Sequence, residues 1–466
     1  MGAVGVEASV KNVLEMGEAP IGRLLVKFSL PTIAMMLVNG LYNMIDRVFI
    51  GQGMGTEGIA AVTAAYPVMI LPIAVGLLFG IGSSSMISIA LGAGKPDEAK
   101  GALAQAFLAA LIASILVASL SFIFIDGVLK LFGTTPGLMH FARQYLSIIL
   151  LGFPFQILSM AIGPSLRSQG RPNASVIMVV AGVLINAALA PLFIFIFHWG
   201  LQGAAWATVI AQVSVLVYAV ILIQDRKSTL KLERSLMKLR WPTLARMLTI
   251  GGPAAVVNLM STVVLGVANV SISAYGGGLG IAVVGIVNTV GMLFGFPVMG
   301  IAQGAQALWG YNYGARSYGR VQSVTRHALL WSTGLSILFT AVIELFPRAF
   351  VTAFNTKDPS LLYLGTHGLS IFCMSFFLFG LIAVSTQFFQ SIGKPLETAV
   401  LLIVRNSLLI AGMLTLPRWL ALDGVLWAGP ASDAISAVLS GILLIAGIRR
   451  MRARGLGGQR RAEQAA

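Results

Sequence analysis

Charged residues are scarce in this chain. Asp, Glu, Lys and Arg make up only 10% of its 466 residues, whereas hydrophobic residues make up 57%. A soluble globular protein carries about a quarter charged residues. The composition therefore excludes an ordinary soluble enzyme or binding domain and predicts an all-α polytopic membrane protein.

Cysteine and histidine are also rare. The single cysteine, Cys373, lies in an apolar run, so a disulfide framework is excluded and a buried, inert thiol is expected. The four histidines are scattered near the ends of apolar runs and form no pattern of metal ligands. Residues 1–22 lack the order of charged start, apolar core and cleavage site that marks a signal peptide.

Long apolar runs dominate what is present. A helix that crosses a bilayer needs about 20 mainly apolar residues. Twelve runs meet this requirement, at about 25–49, 60–90, 102–125, 140–162, 174–197, 203–224, 247–273, 281–308, 325–346, 363–390, 397–416 and 424–446. The chain is therefore predicted to have twelve transmembrane helices.

Basic residues alternate between the connecting loops. Loops after even-numbered runs are basic, as at Lys95, Arg171, Arg316 and Lys394, whereas loops after odd-numbered runs carry little charge. By the positive-inside rule, we expect both termini in the cytoplasm and a multi-pass protein of the plasma (inner) membrane. This asymmetry accounts for most of the net charge of +15, and because no basic folded domain is present we expect no nucleic-acid partner.

The two halves of the sequence resemble each other. Four pairs of positions, displaced by 220 to 223 residues, carry the similarity: Gly80 and Gly300, Gly170 and Gly393, Gly203 and Gly424, Pro31 and Pro253. Each half holds six runs, so both halves enter the membrane in the same direction, as in transporters built from parallel repeats. This predicts two pseudo-symmetric six-helix bundles that rock about a central cavity.

The repeat also predicts the organisation of the chain into segments. These are a cytoplasmic N-terminal segment (1–24), an N-lobe with the first six spans (25–224), a basic cytoplasmic linker (225–246), a C-lobe with the last six spans (247–446) and a basic cytoplasmic tail (447–466).

One acid, Asp46, lies inside the first apolar run. An ionised carboxylate in hydrocarbon is costly, so such an acid faces a wet cavity, finds a partner or binds a proton, and it is a functional candidate by default. Its neighbour Arg47 is a poor partner, because adjacent residues point to different faces of a helix. We therefore favour a functional role over an interfacial ion pair.

The order and spacing of several motifs give the chain a resemblance to the MATE (multidrug and toxic compound extrusion) family, over about residues 20–448. The motifs are Pro31 followed by Asn43-x-x-Asp46-x-x-Phe-Ile-Gly51, Gly170-Arg-Pro172 before the fifth span, Asn186 within it and Gly203-Ala-Ala-Trp-Ala-Thr208 opening the sixth. The seventh and tenth runs contain no Asp or Glu, which is unlike the NorM-like branch and similar to the DinF-like branch.

The DinF-like pattern implies a polar cation-coupling pocket. In this resemblance, the first-span acid of the pattern corresponds to Asp46, the fifth-span amide to Asn186 and the sixth-span hydroxyl to Thr208. Pro31 corresponds to a hinge. The second acid of that pattern falls on Ala190, which is a departure from it. Because Asn186 and Ala190 are four residues apart, a carboxylate at position 190 would point at the same pocket.

Further polar side chains of the first span are candidates for this pocket: Asn39, Tyr42 and Asn43. Burial raises the pKa of a carboxyl group, so such a site can take up and release a proton. Its oxygens also suit Na⁺, but the missing second acid leaves less negative charge to offset the desolvation of the ion. We expect H⁺ rather than Na⁺ as the coupling ion, no cofactor, and no metal unless Na⁺ binds at Asp46.

The resemblance implies secondary active efflux of amphipathic, often cationic, drugs or toxic organic compounds by cation antiport with alternating access. Methionine and aromatic side chains suit a plastic apolar cavity. Candidates for its lining are Met69, Met260, Met292, Phe294 and Phe296. We expect contact with membrane lipids and a monomeric transporter.

Two other readings stay open. A flippase for lipids or lipid-linked oligosaccharides, from the same superfamily, would line its cavity with cations, but no Lys or Arg lies between Lys27 and Arg47 or between Arg47 and Lys95. A membrane-embedded enzyme would need clustered acids or histidines, often with a metal.

In the C-terminal half, Arg405 and Asp433 both approach mid-depth of their spans, and we predict that they form an ion pair.

Overall fold

The protein is almost entirely helical. The computed structural model describes residues 11–131, 136–225, 228–354 and 359–465, except for the side chains of residues 42–48, 56, 57, 59, 64, 128, 131, 136 and 454–465. Asp46, Tyr42 and Asn43 belong to this group, so their side chains lie outside the described residues.

In the part of the chain that the structure describes, a short helical segment at 11–18 precedes thirteen α-helices. They are α1 (Ile21–Gly92), α2 (Pro96–Ile123), α3 (Ile125–Leu131), α4 (Pro136–Ser168), α5 (Pro172–Pro191), α6 (Gly200–Gln224), α7 (Trp241–Gly314), α8 (Tyr318–Leu345), α9 (Pro347–Thr352), α10 (Pro359–Cys373), α11 (Phe379–Ser391), α12 (Pro395–Thr415) and α13 (Pro417–Ala465).

Two of these helices are pairs of spans joined without a loop. α1 changes direction at Gly55 and α7 at Gly277, where the backbone leaves helical geometry with φ of 62° and 55°. α10 and α11, with a short 3₁₀ turn at Phe376–Leu378 between them, form one interrupted span. Counted in this way, the described helices provide the twelve predicted spans.

The internal repeat is visible in the backbone. Nine of the described residues have positive φ, and eight of them form pairs related by 221 to 223 residues: Gly55 and Gly277, Gly94 and Arg316, Gly170 and Gly393, Gly200 and Ala421. Positive φ is costly for any residue except glycine, so such positions mark specific turns. Their recurrence at one spacing confirms that both halves follow the same path.

The turns that begin α2, α5 and α12 have one local cause. Two residues after the previous helix ends, a glycine has positive φ in each case. The residue after that glycine donates its N–H to a carbonyl of the last helical turn, as in Lys95 N–H to Ala90 O at 2.9 Å. Proline then begins the next helix, where its missing N–H is not needed. The Gly-x-Pro motifs of the sequence are therefore helix stop and start signals.

The chain divides into two compact units. The first contains residues up to Glu18 and Ala34–Leu259, and the second contains Ala19–Ile33 and Met260–Ala466. The beginning of α1 thus belongs to the second unit, where Ser29 lies against Gly304. The beginning of α7 belongs to the first, where Gly251 lies against Leu78.

Each unit has its own apolar core. In the first unit, one cluster joins α1, α4, α5 and α6 around Phe153, and another joins α1, α2 and α4 to the start of α7. In the second unit, the larger cluster joins α7 to α8, α9 and α10 around Val287 and Leu369. The lobes 25–224 and 247–446 remain predictions, while α7 begins at Trp241, inside the predicted linker.

Candidate functional site

A buried polar pair links α5 and α6. Asn186 Nδ2 donates a hydrogen bond to Thr208 Oγ1 at 3.2 Å, and Thr208 Oγ1 donates to Ala204 O at 3.1 Å. Asn186 is only 2% exposed, so its amide is held where water is largely excluded. The structure therefore brings together two of the side chains that the sequence assigned to one pocket.

Further polar side chains follow this pair along α6. Gln212 lies four residues after Thr208, on the same helix face, and its Nε2 donates to Gln156 Oε1 of α4 at 3.2 Å. Gln212 Oε1 is buried and, among the described residues, has no hydrogen-bond partner. We call Gln156, Asn186, Thr208 and Gln212 the polar strip of the first unit.

Sequence reasoning missed the two glutamines of this strip. Gln212 could have been found from its spacing to Thr208, because four residues place two side chains on one helix face. Gln156 gave no such signal, since its partner lies on a helix that is distant in sequence.

Position 190 has an apolar environment. Ala190 is fully buried and belongs to a cluster with Ile50, Phe193 and Ile194. The position expected to carry the second acid is therefore packed by hydrocarbon side chains, one turn of α5 beyond Asn186.

The first half of α1 approaches the end of α5. A side chain at Gly53 would collide with Ile194, and the rings of Phe49 and Phe195 meet edge to face with centroids 6.4 Å apart. The absence of a side chain at residue 53 permits this approach. The segment that contains residue 46 thus belongs to a helix that packs beside α5.

The end of α5 explains the motif that opens α6. After Pro191, which has no N–H to donate, the helix widens into a π-turn at Leu192–Ile196. Phe193 then packs against Trp199, with ring centroids 5.0 Å apart, and a Cβ at position 203 would lie 2.9 Å from Phe193 Cβ. Gly203 is therefore required by close packing of α6 on this turn.

The remaining predicted residues occupy varied environments. Asn39 is exposed, Pro31 is half-buried and the helical backbone continues through it, and Met69 packs against the core cluster of the first unit.

In the second unit, Met292 is 60% exposed, whereas Phe294 packs on Phe339 and Phe350 with centroids 4.7 and 5.5 Å away. Met260 and Phe296 are half-buried.

The ion pair predicted for the C-terminal half is confirmed. Arg405 Nε donates to Asp433 Oδ1 at 2.8 Å, and Ser375 Oγ donates to Asp433 Oδ2 at 3.2 Å. Ser375 lies at the interruption between α10 and α11. Across the described side chains, His, Cys, Asp and Glu form no group of three or more that could hold a metal ion.

Twelve spans in two repeated halves, with a polar strip in the first and an ion pair in the second, define a class of protein: a membrane transporter built from parallel repeats. The family model MatE matches residues 31–192 and 253–414. The second match is displaced from the first by 222 residues at both ends, from 31 to 253 and from 192 to 414, the same spacing as the repeated turns. The chain belongs to the MatE family, so it is a membrane transporter and not an enzyme.

Curated relatives and solved structures agree with this assignment. The chain is 24% identical over 428 residues to the multidrug export protein MepA of Staphylococcus aureus (strain N315), covering 92% of this chain and 94% of that protein. It is 25% identical to MepA of Staphylococcus haemolyticus, covering 91% and 93%.

The fold matches solved structures over nearly its full length. An outward-facing conformation of a multidrug resistance MATE family transporter of the MOP superfamily superposes with a TM-score of 0.89 at 22% identity, covering 94% of this chain and 98% of that one. A MATE structure in the bent conformation gives 0.88 at 22% identity, covering 97% and 99%. These structures share the fold of this chain.

Proposed function

We propose that this transporter exports small amphipathic or cationic organic compounds by antiport against a cation, with H⁺ preferred over Na⁺. The two repeated halves would expose the substrate to one side of the membrane and then to the other. The relatives are multidrug export proteins, which supports this class of substrate. The coupling site is Asp46 together with Asn186 and Thr208, joined by Asn39, Tyr42 and Asn43 of the first span.

The contact between Gly53 and Ile194 carries this assignment. The first and fifth spans cross the membrane in the same direction, because both are odd-numbered. Residue 46 precedes Gly53 by about two helical turns, and Asn186 precedes Ile194 by about two turns, which is about 10–12 Å along each axis. This spacing supports a shared site, because the two positions would lie at one depth on neighbouring helices.

The environment of Ala190 supports H⁺ as the coupling ion. A site for Na⁺ must offset the cost of stripping water from the ion with negative charge and oxygen ligands. Position 190 supplies only a methyl group within an apolar cluster. A single carboxyl group suffices for carrying a proton, because protonation removes the buried charge.

The basic turns support a plasma-membrane protein with both termini in the cytoplasm. The four residues at or just after the repeated positive-φ turns, on one side of the spans, are all cationic: Lys95, Arg171, Arg316 and Lys394. Cytoplasmic loops carry an excess of such residues.

Efflux from proteoliposomes under separately imposed H⁺ and Na⁺ gradients tests this function. We expect the native chain to export a fluorescent organic cation when the H⁺ gradient alone is imposed, and Asp46→Asn to lose this transport while it remains folded and inserted. Glu98→Gln is the matched control, because Glu98 lies at an exposed ion pair with Lys95. Full transport by Asp46→Asn would refute the assigned site, and transport driven only by Na⁺ would refute the assigned ion.

A further inference from the structure

The ion pair of the second unit occupies both oxygens of its acid. Asp433 Oδ1 accepts from Arg405 Nε, and Oδ2 accepts from Ser375 Oγ. The side chain of Asp433 is 10% exposed, so little of this carboxylate remains available to a ligand. A cationic group would first have to displace Arg405 before it could bind there.

Arg405 is not similarly saturated. Its guanidinium has five N–H donors, and among the described residues only Nε has a hydrogen-bond partner. The side chain is 30% exposed, three times as much as that of Asp433. The two terminal nitrogens therefore present unused donors in a fixed, planar arrangement.

The position of Arg405 indicates what these donors face. It is the middle residue of α12 (Pro395–Thr415), about 15 Å from either end of the helix. A charged side chain at this depth is costly in lipid and normally faces the protein interior or a water-filled cavity. Its exposed nitrogens are therefore expected to face a wet cavity.

The neighbouring span is interrupted at the same place. α10 ends at Cys373 and α11 begins at Phe379, with Ser375 between them bonded to Asp433. Irregular backbone at membrane depth is tolerated where it is buried in protein or lines a cavity. In transporters, interrupted spans commonly form the substrate or ion site.

We propose that Arg405 binds the carboxylate of an amphipathic substrate through its terminal nitrogens, while Nε remains on Asp433. A planar guanidinium matches a carboxylate with two parallel hydrogen bonds. With the substrate carboxylate bound, two carboxylates face the single positive charge of Arg405, so the local charge is negative. A substrate that also carries a delocalised cation therefore fits best. This inference rests on the proposed export function and adds to it a preference, among its substrates, for compounds that carry both an organic cation and a carboxylate.

Equilibrium binding to the purified full-length protein in detergent tests the inference without requiring transport. The probes are tetramethylrhodamine, which carries a free carboxylate, and its methyl ester, which has the same cationic ring system; fluorescence polarisation gives both dissociation constants. We expect the acid to bind at least about tenfold more tightly than the ester, because one hydrogen bond to a charged group already contributes about this factor and the guanidinium supplies two. Equal affinities, or no binding of either probe, would overturn the inference.

Arg405→Lys tests whether the preference for the acid comes from the planar pair of guanidinium donors or from the positive charge. Lysine retains the positive charge beside Asp433 but lacks the planar pair of donors, so the preference for the acid should disappear while the ester binds as before. Arg418→Lys, the same substitution at an exposed arginine of α13, should keep the preference. An unchanged preference in Arg405→Lys would refute the role of Arg405. If the acid and the ester bind equally but the native chain still exports the ester, the export function stands and this inference fails.

Discussion

Arg405 and Asp433 pair at 2.8 Å between α12 and α13. Removing one member leaves an uncompensated buried charge, which costs about 3–5 kcal/mol, whereas replacing both with apolar residues is often neutral. We therefore expect Arg405→Met, which leaves the buried Asp433 unpaired, to lower the apparent melting temperature in detergent strongly. Asp433→Leu leaves the partly exposed Arg405 and should lower it less, and the double variant should recover most of the loss seen in Arg405→Met. If the losses of the single variants simply add in the double variant, the two residues do not stabilise the protein as a pair.

The pair between Asn186 and Thr208 should be energetically coupled. Thr208→Val keeps the shape of the side chain but removes the acceptor, and Asn186→Ala removes the donor. A net hydrogen bond contributes about 1 kcal/mol, and more when a buried partner remains unsatisfied. We expect each single change to reduce efflux, and the double variant to be no worse than the more damaging single change.

A double-mutant cycle on transport rates measures this coupling. The control is Ser214→Ala on the same helix, whose hydroxyl is exposed and bonds only to the helix backbone. Strict additivity of the Asn186 and Thr208 effects would show that the two side chains act independently.

Ala421 adopts a backbone conformation better suited to glycine. Its φ of 46° and ψ of −128° are close to those of Gly55 and Gly277. The position related to it by the internal repeat is a glycine, Gly200. A non-glycine residue in such a region costs about 1–3 kcal/mol. Ala421→Gly should therefore raise the apparent melting temperature, and Ala428→Gly, within the regular part of α13, should lower it. A lower melting temperature for Ala421→Gly would contradict the strain.

Features determined by nearby residues could be predicted from the sequence. The apolar runs predicted the spans, and the Gly-x-Pro motifs lie at the turns where α2, α5 and α12 begin. The pair of Arg405 and Asp433 was also predictable, because charges at the same depth in adjacent spans have few other partners.

Features that depend on packing between distant helices could not be predicted in this way. At Gly55 and Gly277 the backbone leaves helical geometry and passes from one span to the next without a loop, which the glycine-rich sequence alone does not indicate. Gln156 reaches the polar strip only because α4 packs against α6. The assignment of residues 19–33 to the second unit likewise depends on the close contact at Gly304.

Restoring a carboxylate at position 190 tests how the missing acid shapes coupling. Ala190 lies one turn beyond Asn186 in an apolar cluster, so Ala190→Asp adds a charge that must be neutralised by a proton or a cation. We expect efflux by Ala190→Asp to gain a response to Na⁺ that the native chain lacks, because a second carboxylate offsets the desolvation of the ion. The expected cost is a lower melting temperature in the absence of Na⁺, which added Na⁺ should partly reverse.

The matched control is Ala190→Asn, which has the same size and polarity but cannot ionise. Transport rates and melting temperatures are compared at fixed H⁺ gradient over a series of Na⁺ concentrations. A Na⁺ response in both variants would reflect added polarity rather than charge. Identical efflux and identical Na⁺ dependence in Ala190→Asp and the native chain would place position 190 outside the coupling site, since a carboxylate within it must alter the charge that the coupling ion meets.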